Sequence, residues 1–534
     1  MAPAAPVDVD VGDGDCIGGS TSRQRSLERT WSIDSNVPTV PFGLLEPPAS
    51  VPTTPLLTNL VQRADVPLLH DQSPMSRVSR QTTTEEQVPF SLADWLRRLL
   101  AFTGPGWLMS IAYVDPGNLE ADLQCGAQFG YILLWVLFGA TCVGLGMQLV
   151  AARLGCVTRQ HLAEHCRQHY SARVRLALWL LTELAIVGSD IQEVIGGAIG
   201  FQLLFGMPLP YGVLLTAGAA FGFLFLERFG TRPLELFFGA LILVLALSMG
   251  GLFVLINPDR SAVIEGLVVP RLPSTALSQA VGMVGCIIMP HNLFLHSALV
   301  QSRVIEHGEE REAIMFYTIE STVAILTSII INTCVVAVFA KGFFGTPEAS
   351  QIGLKNAGSF LGDHFGDPLR IVWALGLCAA GQSSTMTGAY AGQWVMQGYL
   401  QLQVKPWKRA IITRSMALVP TLAVSVYFGG GHSGLDSLNS YLNVWQSIVL
   451  PFAVVPLLSF ASSRTIMGDL ALTPVVKVMG WFAAGLVMLA NTYLFIEQVG
   501  GVVSVGLILA IGLYTCSVAY IAYAPTFETA LAAE

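Results

Sequence analysis

The chain has 534 residues, 53% of them hydrophobic and only 12% charged, with a mean hydropathy of +0.60, a balance that excludes a soluble protein of this length and implies a polytopic membrane protein. The formal net charge of −8 comes without a basic cluster, so no nucleic-acid partner is expected. From nine cysteines without C-x-x-C spacing, mostly inside or beside apolar spans, neither a disulfide framework nor a zinc finger follows.

Residues 1–90 are rich in Pro, Ser, Thr and charge and show no periodicity, the composition of a disordered tail. The start lacks the apolar core of a signal peptide, with Asp8, Asp10 and Asp13 close behind Met1, so the first span is expected to direct insertion. Within the tail, Arg23-Gln-Arg-Ser26 and Arg29-Thr-Trp-Ser32 have the form of kinase sites. Pro55-Leu-Leu57 and Asp65-Val-Pro-Leu-Leu69 resemble dileucine sorting signals and tilt localisation toward an endosomal or vacuolar membrane, with the plasma membrane as the alternative. Order is expected from Ser91-Leu-Ala-Asp94, a helix N-cap with an acid behind it.

About twelve apolar windows long enough to span follow, at roughly 103–130, 131–154, 175–205, 210–227, 233–256, 277–303, 313–340, 369–400, 407–428, 439–461, 475–496 and 501–523. Basic residues such as Arg97, Arg98, Arg153, Arg159, Arg167 and Arg464 fall on one side of these spans and few on the other. The positive-inside rule then makes both termini cytosolic. The first and sixth windows are interrupted, by Asp115-Pro-Gly-Asn118 and by Met289-Pro-His291. Matching broken helices are the mark of a secondary transporter with inverted repeats. The expected organisation is a cytosolic tail (1–90), a five-plus-five inverted-repeat core (91–465), two appended spans (466–525) and a short C-terminal tail (526–534).

The breaks coincide with ligand-type side chains. A carboxylate in hydrocarbon faces a cavity and has a task there, and Pro and Gly in mid-span free carbonyls that must find a partner. Asp115 offers a hard oxygen, Asn118 a neutral one, Met289 a soft sulfur, and the unwound turn before Met289 a free carbonyl, that of Cys286. A mixed oxygen and sulfur shell suits a transition-metal dication, whereas calcium and magnesium take oxygen only. The competing reading is core packing for Met289 and an arginine partner for Asp115. His291 adds a group that titrates near neutrality. Glu183, Asp190 and Glu193 in the third span, spaced by seven and three, share a helical face and read as a proton relay. A buried salt-bridge network with Arg409 or Arg414 is the alternative, compatible with the first.

Three runs, Thr103-Gly-Pro-Gly-Trp-Leu-Met-Ser-Ile-Ala-Tyr-Val-Asp-Pro-Gly-Asn118, Gly285-Cys-Ile-Ile-Met-Pro-His-Asn292 and Gly381-Gln-Ser-Ser-Thr-Met-Thr-Gly-Ala-Tyr-Ala-Gly-Gln393, resemble the signatures of the Nramp family of divalent metal transporters, in its plant-like eukaryotic branch, over roughly residues 95 to 525. The resemblance implies an all-α, LeuT-like fold and proton-coupled import of manganese(II) and iron(II) by a protein that functions as a monomer in the bilayer, with no bound cofactor. Cobalt, cadmium and zinc are further cargoes it allows. It places Asp115, Asn118, Met289 and the Cys286 carbonyl at the metal. His291, Glu183, Asp190, Glu193 and Arg409 match the family's proton-pathway positions. Asn443 stands where some relatives carry a Gln that approaches the metal, with Gln446 one turn on, and Ala389 replaces a Thr common in the eighth-span run.

His161-Leu-Ala-Glu-His165, with Cys166 and His169 nearby, fits an inverted zinc-protease pattern, but an amphipathic helix in a basic loop is the simpler account. Weak zinc binding by the three imidazoles is the lesser alternative there. A membrane metalloprotease is thus the enzyme-class competitor. A metal sensor on the same fold would need a long output domain, and the relatives that carry magnesium or aluminium depart from Met at the position of Met289. An enzyme is not expected.

Overall fold

The computed structural model describes residues 92–226, 231–303, 305–401, 406–427, 433–498 and 505–531. The N-terminal 1–90 segment with its motifs, Ser91 and the side chain of Arg409 lie outside that description. The described residues form helices α1 (Leu92–Phe102), α2 (Pro105–Ile111), α3 (Pro116–Phe129), α4 (Leu134–Thr158), α5 (Leu162–His169), α6 (Ala172–Phe205), α7 (Leu209–Leu226), α8 (Thr231–Ile256), α9 (Arg260–Val268) and α10 (Leu277–Ile287). The second half continues with α11 (Pro290–Leu299), α12 (Glu310–Phe343), α13 (Leu354–Phe365), α14 (Asp367–Leu400), α15 (Pro406–Tyr427), α16 (Ser433–Val449), α17 (Pro451–Ser462), α18 (Arg464–Met467), α19 (Pro474–Gln498) and α20 (Val505–Leu531). Over the described residues each apolar window is therefore mainly helical, interrupted in the first and sixth. The last helix runs on to Leu531 and enters the stretch read as a C-terminal tail from 526.

Among the described residues, seven helical stretches are long and apolar enough to cross a membrane, two of them (Ser274–Ser302 and Ser437–Ser462) made of successive helices, and α6 with α7, bent by 118°, forms an eighth if taken as a pair. The polar side chains of α3, α6 and α14 lower their hydropathy, and they point inward. Asp115, Asn118, Glu120 and Asp122 are buried, as are Glu183, Asp190, Gln192 and Glu193, and so are Ser383, Ser384, Thr385 and Thr387. The outside is the reverse. Val475, Val478, Met479, Phe482, Leu486 and Leu489 line one exposed face of α19, and Leu243, Leu247 and Val254 one face of α8. Such stripes would be aggregation surfaces in water; against lipid tails they are the expected exterior.

Without a hydrophobic force between helices in lipid, close approach depends on small residues. The most extensive helix pair joins α6 to α14, and there a Cβ added to Gly381 would lie 2.7 Å from the Gly197 Cα. Main chain meets main chain at that crossing. It holds the acidic face of α6 in fixed register with the eighth-span run on α14, which frames the site described next.

Candidate metal centre

Two proline-made defects build the site. In an unbroken helix the carbonyl of residue i accepts from the N–H of residue i+4, and proline has none. Pro116 therefore orphans the Ala112 carbonyl, and Pro290 orphans that of Cys286. Both spans part at these points. After α2, 3₁₀-type bonds from Ala112 to Met109 (3.1 Å), Tyr113 to Ser110 (3.1 Å) and Val114 to Ile111 (3.0 Å) tighten the last turn, and α3 restarts with Asp115 as its N-cap. After α10, Ile288 leaves the helical region and Met289 becomes the N-cap of α11.

Three of the four half-helix ends, those at Ala112, Asp115 and Cys286, converge on one amide. Asn118 Nδ2 donates to Asp115 Oδ1 at 2.6 Å, to the Cys286 carbonyl at 3.1 Å and, more weakly, to the Ala112 carbonyl at 3.4 Å. The Asn118 backbone N–H also donates to Asp115 Oδ1, at 2.8 Å. Asp115 Oδ2 and Asn118 Oδ1 are buried and have no hydrogen-bond partner among the described residues, a rare state for such atoms. The C-terminal ends of α2 and α10 contribute the negative end of their peptide dipoles. An amide N–H group thus occupies a point ringed by a carboxylate and two orphaned carbonyls, a surrounding that suits a cation. The Ala112 carbonyl was not singled out from sequence, although a proline four residues downstream is the same signal that exposes Cys286.

Met289 is buried, and its sulfur accepts from Ser189 Oγ at 3.8 Å. The same hydroxyl bonds Glu193 Oε1 at 2.9 Å, so one serine joins the thioether to the acidic face of α6. Asp190 and Glu193 both face Gly388 of α14. A Cβ there would lie 2.6 Å from Asp190 Oδ1 and 3.2 Å from Glu193 Oε2. Glu183 sits two turns away and accepts from Trp179 Nε1 at 3.2 Å. His291 is buried in the first turn of α11, its Nδ1 without a hydrogen-bond partner among the described residues. Arg409 falls within α15, its side chain outside the description.

Asn443 is close by but engaged. Its Oδ1 accepts from Gln192 Nε2 at 2.8 Å, its Nδ2 reaches the Gly117 carbonyl at 3.5 Å, and Gln446 donates to Gln192 Oε1 at 2.9 Å. Gln192, unremarked in the sequence reading, is the hub of this amide cluster between α6, α16 and the first break.

The His161 stretch caps and forms α5; several of its polar atoms serve local structure, while His161 Nδ1 and His165 Nδ1 are buried without a hydrogen-bond partner among the described residues. Glu164 accepts from the His161 backbone N–H at 3.0 Å, His165 Nε2 pairs with Thr158 Oγ1 at 2.9 Å, and His169 Nδ1 with the His165 carbonyl at 3.0 Å. Burial pushes both the His161 and His165 imidazoles down to about 3. Among the described residues no three His, Cys, Asp or Glu side chains gather as a metal would require. The same holds at the broken helices, where Asp115 is joined by donors of other kinds, an amide, a backbone carbonyl and a thioether.

A family model described as natural resistance-associated macrophage protein-like (Nramp) matches residues 106–497. "Metal transporter Nramp3.1" of Populus trichocarpa is 50% identical over 438 residues, which covers 80% of this chain and 88% of that relative. A crystal structure of the Eremococcus coleocola manganese transporter, in complex with an aromatic bis-isothiourea substituted compound, superimposes with a TM-score of 0.71 at 31% identity, covering 82% of this chain and 96% of that one. Mhp1, a nucleobase-cation-symport-1 family transporter, shares the fold at 16% identity with a TM-score of 0.51, covering 78% and 92% of the two chains.

Proposed function

The chain belongs to the natural resistance-associated macrophage protein (Nramp) family, and from that premise we propose that it moves manganese(II) and iron(II) into the cytosol together with protons. It is a multi-pass membrane protein and a metal transporter rather than an enzyme. The observation that carries the finer reading is the amide of Asn118, held between Asp115 Oδ1 and the Cys286 carbonyl. An arriving dication replaces that N–H group: Asn118 turns its carbonyl oxygen inward, Asp115 supplies the anionic ligand, the Cys286 carbonyl a third oxygen and Met289 the sulfur. The Ala112 carbonyl is a further oxygen within reach of the same amide. Asn443 acts one layer out, steadying the first break through Gln192 and Gly117.

Asp190, Glu193 and His291 carry the proton, with Glu183 and Arg409 toward its exit. Ser189 couples the two sets, since it touches both Glu193 and the proposed sulfur ligand. The protein works as a monomer with both termini in the cytosol, in the plasma membrane or an endosomal or vacuolar one, and needs no bound cofactor. Labelled manganese and iron uptake into proteoliposomes, with and without an inward proton gradient, tests the whole. Faster uptake of both under the gradient is expected, and indifference to it removes proton coupling.

A narrower test separates the two sets of residues. Gly388→Ala places a methyl against Asp190 Oδ1, and Asp190→Asn neutralises the group. Both are expected to slow metal-driven proton uptake on the order of tenfold or more while manganese binding, followed by calorimetry, changes little. A parallel fall of proton flux and metal affinity in both variants favours a purely structural network.

A further inference from the structure

We propose that the last two helices take part in metal binding, with Asn491 of α19 as a positioning residue for the Cys286 carbonyl. The inference rests on the metal reading above and extends it to helices outside the repeat core. The tenth span runs as α16 and α17, joined at Leu450 and restarted by Pro451. Pro451 lacks the N–H that the Ser447 carbonyl would take, so it makes a third orphan of the kind seen at Ala112 and Cys286. Here the orphan is met by protein. Asn491 Nδ2 donates to the Ser447 carbonyl at 2.7 Å, and Asn491 Oδ1 accepts from Ser447 Oγ at 2.7 Å. Tyr514 of α20 completes the clasp, accepting from Asn491 at 3.1 Å and donating to the Ile448 carbonyl at 3.2 Å.

What the clasp holds abuts the proposed site. A Cβ on Gly285 would lie 2.8 Å from Ser447 Cβ and 3.0 Å from the Ser447 nitrogen, and would strike the Asn443 carbonyl. The backbone of α10, one residue before Cys286, therefore rests directly on the stretch of α16 that Asn491 fixes. The contact path is Asn491, Ser447, Gly285, Cys286. A second contact agrees: Ala483, Ala484 and Val487 of α19 line a small apolar cavity with Ile288 of the sixth-span break and with Leu450 and Pro451. One helix thus borders both interruptions. A buried asparagine with every polar atom matched to a single clasp sets position more tightly than apolar packing would.

The test uses the full-length purified protein, with manganese(II) as the probe in calorimetric titration and labelled uptake as a second readout. Asn491→Leu is expected to weaken manganese binding about tenfold, the scale of leaving one buried carbonyl unmatched beside a ligand. The double variant Asn491→Leu with Pro451→Ala separates position from stability, since removing the proline restores an in-helix N–H for the Ser447 carbonyl. It is expected to fold as wild type does and still bind weakly. Wild-type affinity in the folded double variant overturns the proposal. Failure of the double variant to fold also overturns it, because Asn491 would then serve more than that carbonyl. Absence of manganese binding in the wild type would instead remove the metal reading itself.

Discussion

Asp115→Ala is expected to abolish metal uptake while the protein still inserts and folds. Asp115 is the one anionic group in the proposed shell, and loss even of an outer partner of a metal ligand costs about 10–100-fold in affinity. Removal of the carboxylate itself should exceed that range. Two opposing effects act on the fold. The substitution deletes the N-cap of α3, worth about 1 kcal/mol, and it relieves a buried charge with an unmatched oxygen, which stabilises. These offset one another, and Asp115→Asn provides the control because it retains a capping side chain. Both variants should show wild-type elution in detergent and no manganese uptake. Near-normal uptake by either one removes Asp115 from the site.

Met289→Ala is expected to loosen selectivity more than it slows transport. Manganese, iron, cobalt and cadmium accept a thioether increasingly well, whereas calcium gains nothing from it. A ligand that suits one cation poorly discriminates by exclusion. With the sulfur gone, cadmium uptake should fall most and manganese uptake less, and calcium or magnesium in excess should compete where they did not before. Met289→Leu refines the argument, because a volume-conserving swap usually costs less than about 1.5 kcal/mol and keeps water out. Cadmium should suffer in both variants, and calcium should compete only in Met289→Ala, where water can enter. Unchanged cadmium uptake with no calcium competition in either returns Met289 to a packing role.

The breaks were legible because their cause is local: Pro116, Gly117 and Pro290 interrupt apolar runs in ways any reader of the chain can count. The twelve helical windows were legible for the same reason, hydropathy being a property of neighbours in sequence. The three-run resemblance to the Nramp family agrees with the 50% identity to a plant relative. Partnerships between spans were not legible. Nothing in the sequence around Gln192 says that it reaches Asn443 and Gln446, and Ser189 is an ordinary helix serine until Met289 and Glu193 are placed beside it. Asn491 likewise gains its meaning only where α19 crosses α16. The His161 stretch shows the converse, since its spacing suggests metal while the folded chain buries the His161 and His165 rings apart from any third ligand and caps α5 through the His161 backbone. Pattern finds side chains that can coordinate, and packing decides what they face.

In the proposed site the two broken helices hold a divalent metal in a shell of oxygens and one sulfur. X-ray absorption on the purified protein loaded with a single equivalent of cadmium reads that shell directly. One sulfur scatterer among oxygens is expected in the wild type, lost in Met289→Ala, with no binding at one equivalent in Asp115→Ala. An oxygen-only shell in the wild type, or a sulfur signal that survives Met289→Ala, would contradict the proposed site.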